Sequence, residues 1–273
     1  MIALSVLASG SSGNATIVRG PRDGGLLLLD AGLSPRETSA RLAPLGLDLG
    51  DVTDILLTHL DHDHCQPGWA KELQQRPRRV HVHVRHRPAA VKRGIPVPLL
   101  HAFDESPDAP GGMTAHAMPA PHDTLGSSVF VLEHDGARLG WATDLGRVTG
   151  KLLEGLRGVD AIGIESHYDR NRQLFSRRPA SLKRRIMGGQ GHLSNEQSLE
   201  AVMQLGGASG PRHILLLHLS RECNSPGMIK DLYRRRAPDL VDRLIFAEQR
   251  TPTPMVVVRP SGHVRAEQMP LFG

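Results

Sequence analysis

The chain has 273 residues, 33 Lys plus Arg against 28 Asp plus Glu, and only 2 Trp, 2 Tyr and 5 Phe, a length sufficient for one domain with a large core or two small ones. Its 39% hydrophobic and 22% charged residues exclude wholesale disorder and fibrous architecture. Apolar runs such as 26–29 and 214–217 stop after four residues, which excludes a membrane-spanning helix, and the net charge of +5 points to an anionic partner.

The opening residues lack the basic region of a signal sequence and their apolar run breaks at Ser5, so 2–7 is predicted as a first strand and the protein is expected in the cytoplasm. Cys65 and Cys223 cannot form a disulfide framework, in keeping with a reducing compartment. Short β-branched apolar runs between Gly/Pro turns predict further strands at 16–19, 26–30, 54–58, 80–84, 113–119, 128–133, 137–143, 161–165, 213–217, 244–246 and 255–258. Helical patterns cover 35–42, 69–75, 148–156, 195–205 and 228–236. His134-Asp135-Gly136 reads as a hairpin turn, and Ser194 with Gln197 as a capping box. This alternation predicts one α/β domain over 1–264, without internal repeats, followed by a flexible tail at 265–273.

Two stretches are strongly basic. Residues 73–103 contain no acid but carry Arg76, Arg78, Arg79, Arg85, Arg87, Lys92 and Arg93. Between Tyr168 and Met187 only Asp169 offsets Arg170, Arg172, Arg177, Arg178, Lys183, Arg184 and Arg185. Such blocks are solvated faces or phosphate contacts.

The strand at 54–58 runs into Thr58-His59-Leu60-Asp61-His62-Asp63-His64, a concentration of imidazole and carboxylate that suits a loop wrapped around zinc, manganese or iron. Further candidates follow later strand ends: His122, Asp144 and His218. Ser9-Gly10-Ser11-Ser12-Gly13-Asn14 can cradle a phosphate with its backbone but lacks a P-loop lysine, so a tight turn between strands is expected. Cys65 reads as a packed neighbour of the cluster. His81, His83, His86, His101, His116, His134, His213 and His263 share no register with it and read as surface or satisfied core residues.

The cluster resembles the metallo-β-lactamase superfamily, whose motif is His-x-His-x-Asp-His followed by His, Asp and His at later strand ends. Aligning it gives His59, Asp61, Asp63 and His64, with Asp61 where the family has its second histidine; the substitution hardens the site and tilts it from zinc toward manganese or iron. SVLASGSSGN at 5–14, APHDT at 120–124, ATDLG at 142–146, GHLSN at 191–195 and HLSRECNSP at 218–226 further resemble the YycJ/WalJ group of bacterial DNA exonucleases. A second departure lies at Glu165-Ser166-His167-Tyr168-Asp169, where that group shows Glu-Ser-Asn-His-Asp: either the histidine has moved to His167 or Tyr168 replaces it.

The resemblance implies an αββα four-layer sandwich and two divalent metal ions, zinc, manganese or iron. His59, Asp61 and His122 would hold one, Asp63, His64 and His218 the other, and Asp144 would bridge them. Such a pair activates a water for in-line attack on a phosphodiester, with Asp63 in the catalytic set. His192 is the candidate for binding the phosphate or protonating the leaving oxygen, against a structural role at the start of the helix that Ser194 caps.

The implied reaction is 5′-to-3′ DNA exonucleolysis in repair. Arg184, Arg185 and His167 would contact a substrate held mainly by its phosphates, because aromatic residues are few. The rivals are a small-molecule hydrolase of the same fold, a thioesterase or cyclic phosphodiesterase, and a non-catalytic DNA-binding protein. Gln268, Leu271 and Phe272 in the terminal Gln-Met-Pro-Leu-Phe resemble the peptide by which bacterial repair proteins dock on the DNA sliding clamp.

Overall fold

Four consecutive leucines in one strand demand burial on both faces, since successive side chains point to opposite sides. In the computed structural model, which describes residues 1–21 and 25–261, that demand is met. Leu27 and Leu29 enter a core between two sheets, while Leu26 and Leu28 pack beneath helices. Ile214 to Leu217 behave alike in the other sheet: Leu215 and Leu217 join the inter-sheet core, Ile214 and Leu216 an outer one.

The first sheet contains β1 (Ile2–Ala8), β2 (Ala15–Arg19), β3 (Leu26–Leu29), β4 (Val52–Leu56), β5 (Arg79–His83), β6 (Leu100–Phe103) and β13 (Val256–Val258), in the order β13-β1-β2-β3-β4-β5-β6. The second contains β7 (Thr114–Ala120), β8 (Ser127–His134), β9 (Ala137–Ala142), β10 (Ala161–Glu165), β11 (His213–Leu217) and β12 (Leu244–Phe246), in the order β12-β11-β10-β9-β8-β7. Helices α1 (Pro35–Leu42), α2 (Gly68–Gln75) and α3 (Arg87–Lys92) cover the first sheet through Leu42, Trp69, Leu73 and Ala90. Helices α4 (Gly150–Gly155), α7 (Asn195–Gln204) and α8 (Pro226–Arg236) cover the second through Leu152, Leu199, Val202, Ile229 and Tyr233. The result is the expected αββα sandwich. Two further helices, α5 (Arg170–Phe175) and α6 (Ala180–Met187), lie between β10 and α7 in sequence.

Strands β3 to β6 are parallel, as are β9 to β12, and antiparallel pairing of β8 with both β7 and β9 points β7 the same way as β9. Carboxyl ends therefore gather along one edge of each sheet, where open α/β sheets place ligands. The hairpin forms as expected, with Asp135 at φ 51° and Gly136 at φ 75°, the backbone of a type I′ turn. So does the Ser194/Gln197 capping box.

The differences have local causes. The strand expected over 54–58 spans Val52–Leu56, because the Thr58 N–H leaves the ladder to donate to the Asp30 carboxylate at 2.8 Å. The sequence reading has no counterpart for β6, α3, α5 or α6. In α5 the buried residue is Gln173, and in α6 it is Ile186, so neither carries an apolar stripe to reveal it. The first basic block is partly structural. Arg78 is buried and donates to the carbonyls of Val52 and Leu49, Arg79 pairs with Asp54 at 2.9 Å, and Arg85 donates to the Ser127 carbonyl at 2.6 Å. His81 is a core residue bonded to Asp54 at 2.6 Å. No helix among the described residues is long and apolar enough to cross a membrane. The tail with Gln268, Leu271 and Phe272 lies outside the described residues.

Candidate metal centre

The loop after β4 is short and tightly held. The N–H groups of His64 and Cys65 both donate to the Asp61 carbonyl, and Ala31 N–H donates to the His64 carbonyl. This turn presents His59, Asp61, Asp63 and His64 toward the ends of β7, β9 and β11, which supply His122, Asp144 and His218. Asp144 at φ 53° and His218 at φ 55° adopt a left-handed backbone that is costly without glycine, as does Asp30 at φ 60°. Strain of this kind persists where the surroundings over-determine a residue, and here it turns side chains into a common cavity.

All seven residues expected as ligands come together. Donor atoms of His59, Asp61 and His122 lie within 4.8 Å of one another, as do those of Asp63, His64 and His218. Asp144 is shared, grouping with His59 and His64 on one side and with His122 and His192 on the other. Its Oδ2 is 2.9 Å from His64 Nε2, and its Oδ1 is 3.8 Å from His122 Nε2 and 3.7 Å from His218 Nδ1. Asp61 sits at the open side with its side chain 53% exposed, whereas His59, His64, His122, Asp144 and His218 are buried. Buried imidazoles and carboxylates in two groups with a shared carboxylate fit divalent metal ions by donor type.

A second set of residues orients the first. His64 Nδ1 bonds Asp30 at 2.8 Å, His122 Nδ1 donates to the Gly191 carbonyl at 2.9 Å, and His59 Nδ1 meets Thr58 Oγ1 at 3.0 Å. Each bond leaves Nε2 toward the cavity. Glu165, at the end of β10 and fully buried, bonds His192 Nδ1 at 2.6 Å and His218 Nδ1 at 3.3 Å, and accepts from Leu145 N–H at 2.9 Å. Asn14, the last residue of the turn after β1, brings its amide to 2.9 Å from His64 Nε2. The turn reading of 9–14 therefore holds, with an added contact to the cluster. Asp30, Asn14 and Glu165 escaped the sequence reading; their signal was a polar residue closing an apolar strand or a Gly/Ser turn.

Charge distribution follows this wiring. Burial alone would lower the pKa of His64, but Asp144 and Asp30 on either side of the ring raise it well above the usual histidine range. Burial opposes charge on His218 too, yet Asp144, Asp63 and Glu165 push it up to about 10. For Glu165, burial favours the neutral acid, and the His192 and His218 partners outweigh it and hold the carboxyl at about 2. A metal ion held by His64 and His218 would compete with the proton on each ring, so metal uptake is expected to release protons. Affinity should fall as pH is lowered and keep rising through the neutral range toward the His218 value of about 10, by about tenfold per pH unit for each proton displaced. Titration calorimetry with manganese in buffers of different ionisation enthalpy measures this; affinity independent of pH between about 7 and 9 would count against these two ligands.

The remaining candidates separate. His192 stacks on His167 with ring centroids 4.2 Å apart and lies 5.3 Å from the His122 ring. His167 is buried, its Nδ1 donating to the His218 carbonyl at 2.8 Å, so it walls the site instead of offering a surface contact. Tyr168 packs away with Ile186 and Cys223, so of the two it is His167 that faces the cluster, alongside Glu165. An open cleft of about 490 Å³ adjoins the centre, lined by His59, Asp61, His86, Arg93, His122 and Arg185. Arg185 reaches it paired with Asp123, whereas Arg184 is exposed on α6 and does not line it. His86, read from sequence as a surface or core residue, lines this cleft; burial and neighbouring Arg85 hold its pKa at about 4. Cys65 is a buried free thiol that burial pushes up to about 11, in keeping with a packing role.

Two stacked mixed sheets between helical layers, with histidines and carboxylates gathered at strand carboxyl ends, define a hydrolase of the metallo-β-lactamase fold, a fold that binds divalent metal. The chain belongs to the β-lactamase superfamily: residues 26–219 match the family model described as "Beta-lactamase superfamily domain". It is 29% identical over 244 residues to exodeoxyribonuclease YycJ of Bacillus anthracis, covering 89% of this chain and 90% of that one. To exodeoxyribonuclease WalJ of Streptococcus pneumoniae serotype 2 it is 26% identical over 231 residues, covering 81% and 82%. The crystal structure of the metallo-β-lactamase fold protein YhfI from Bacillus subtilis aligns over 93% of this chain and 100% of that one, with a TM-score of 0.67 at 12% identity.

Proposed function

We propose that the protein is a metal-dependent phosphodiesterase that degrades DNA from the 5′ end, a 5′-to-3′ exonuclease of DNA repair. The observation that carries the reading is a buried Asp144 grouped with His59 and His64 and with His122 and His192, beside an open cleft that His59, Asp61 and His122 line together with Arg93 and Arg185. The exodeoxyribonuclease relatives support the same substrate. His59, Asp61 and His122 would hold one zinc or manganese ion and Asp63, His64 and His218 a second, with Asp144 between them. Ions held there would activate a water as nucleophile and offset charge on a phosphodiester oxygen.

The chain's own groups do the rest. Glu165, ionised at neutral pH, fixes the Nδ1–H of His192; with a proton on Nε2 as well, the ring would donate to a phosphoryl oxygen or pass that proton to the leaving oxygen. Arg93 and Arg185 flank the cleft as phosphate contacts, with Arg184 exposed further along α6. A small-molecule hydrolase would gain little from a basic rim on an open cleft, which favours the polymeric substrate.

The test uses full-length protein loaded with manganese or with zinc, and single-stranded and nicked DNA labelled at either end. Stepwise mononucleotide release from the 5′ end is expected, slowing steeply with salt at sub-saturating DNA, with a logarithmic slope of about −0.7 per phosphate contacted. Intact DNA alongside turnover of thioesters or cyclic phosphodiesters would move the protein to the small-molecule class. Tight DNA binding with no hydrolysis under either metal would make it a binding protein.

A further inference from the structure

The second basic block folds into α5 and α6, and it displays an aromatic side chain at its bend. Phe175, the last residue of α5, is 87% exposed. Both tryptophans, both tyrosines, Phe103 and Phe130 are buried, and Phe246 is half-buried, so Phe175 is the exposed aromatic of the described residues. Leu174, beside it in the chain, and Leu182 on α6 are exposed too. A phenyl ring left in water forfeits the stabilisation of burial.

Its setting is cationic. Residues 170–187 contain seven arginines and lysines and no acid. Arg178 pairs with Glu222, Arg185 with Asp123, and Lys183 Nζ donates to the Leu174 carbonyl at 2.6 Å. Among the described residues Arg170, Arg172, Arg177 and Arg184 have no acidic partner. The Lys183 bond ties the end of α5 to the middle of α6, and Arg185, two residues on, lines the cleft. The same segment then leads through Gly191 to His192 at the metal centre. An exposed ring flanked in the chain by arginines without acidic partners, on the segment that carries Arg185 to the cleft, matches a ligand that offers both flat π-faces and phosphates: a single nucleic-acid strand.

We propose that the α5–α6 hairpin grips the single strand beside the cleft, with Phe175 stacking on a base and the free arginines holding the backbone. This rests on the nucleic-acid substrate proposed above and adds a base contact to what otherwise looks like pure phosphate recognition. The test compares wild type, Phe175→Ala and Phe175→Trp as manganese-loaded enzymes. The substrates are a single-stranded 5′-labelled oligonucleotide, the same backbone with abasic sites, and bis(p-nitrophenyl) phosphate. Phe175→Ala should raise KM for the ordinary oligonucleotide by about tenfold while leaving KM for the abasic strand and turnover of the small diester unchanged. Phe175→Trp should restore KM, and its indole fluorescence should be quenched by the base-containing strand. A KM for Phe175→Ala within about twofold of an active wild type, or an equal rise on the abasic strand, would overturn the grip alone. A wild type that neither binds nor cleaves the oligonucleotide would overturn the substrate reading and the grip with it.

Discussion

Asp144→Asn is expected to leave the fold standing and to reduce hydrolysis by about a thousandfold or more, since a ligand shared by two metal ions, as proposed for Asp144, would support several kcal/mol of transition-state charge stabilisation. The carboxylate lies between both donor groups, with His64 at 2.9 Å, His192 at 3.6 Å, His218 at 3.7 Å and His122 at 3.8 Å. The histidines around it hold it ionised against the effect of its burial. An amide keeps the volume and can still accept the Thr143 hydroxyl bond at 2.8 Å, but it cannot supply the negative charge that draws cations into a buried site. The fold should survive because His64 retains Asp30, and His218 retains Asp63 and Glu165. Metal content by atomic emission, melting temperature and nuclease rate would be measured together. Full metal occupancy with undiminished activity would remove Asp144 from the shared position.

Glu165→Gln should lower metal affinity or hydrolysis by about 10- to 100-fold, the range expected when a group that orients ligands is lost. Glu165 touches two rings at once, 2.6 Å from His192 and 3.3 Å from His218. Glutamine can still accept from the Leu145 N–H, so the backbone after β9 stays anchored. It loses the charge that fixes both imidazoles, and its amide nitrogen cannot accept their N–H groups. The consequence should be greater at His192, which Glu165 holds at 2.6 Å against 3.3 Å for His218, and His218 also keeps Asp63 at 3.4 Å. A rate and metal affinity equal to wild type would show that packing alone orients these histidines.

Asp61 bears on both results. It stands on the exposed side of the cluster, 3.9 Å from His59 Nε2, where the superfamily pattern places a histidine. A third carboxylate at the centre raises its negative charge and favours harder cations. That is why the manganese and zinc arms of the nuclease assay are run separately.

Much of the site was legible because its residue types are rare in combination and sit at strand ends. His59, Asp63 and His64 announce themselves within a short loop; His122, Asp144 and His218 each follow a predicted strand. The sandwich was legible for a related reason, since runs such as Leu26 to Leu29 leave a strand no exposed face. Other parts were hidden. Asp30 and Glu165 are single carboxylates far in sequence from the histidines they orient, and the one local mark they carry, a polar residue closing an apolar strand, is too common to single them out. Arg78, Arg79 and Arg85 looked like an anion-binding block until tertiary contacts turned them onto backbone carbonyls and Asp54. Helices α5 and α6 bury too little apolar surface to leave a periodic trace.

The sequence by itself thus determined the alternation of strands and helices, the two-faced burial of the central strands and the identity of the ligand-type residues, all of which depend on side-chain chemistry and short-range period. Only the tertiary structure decided which histidines share a carboxylate, which ring nitrogen faces the cavity, that His167 and not Tyr168 enters the cluster, and that Phe175 stands in solvent. Those facts depend on how loops from two sheets meet at one edge, and contacts between residues a hundred positions apart leave no signature in the spacing of either.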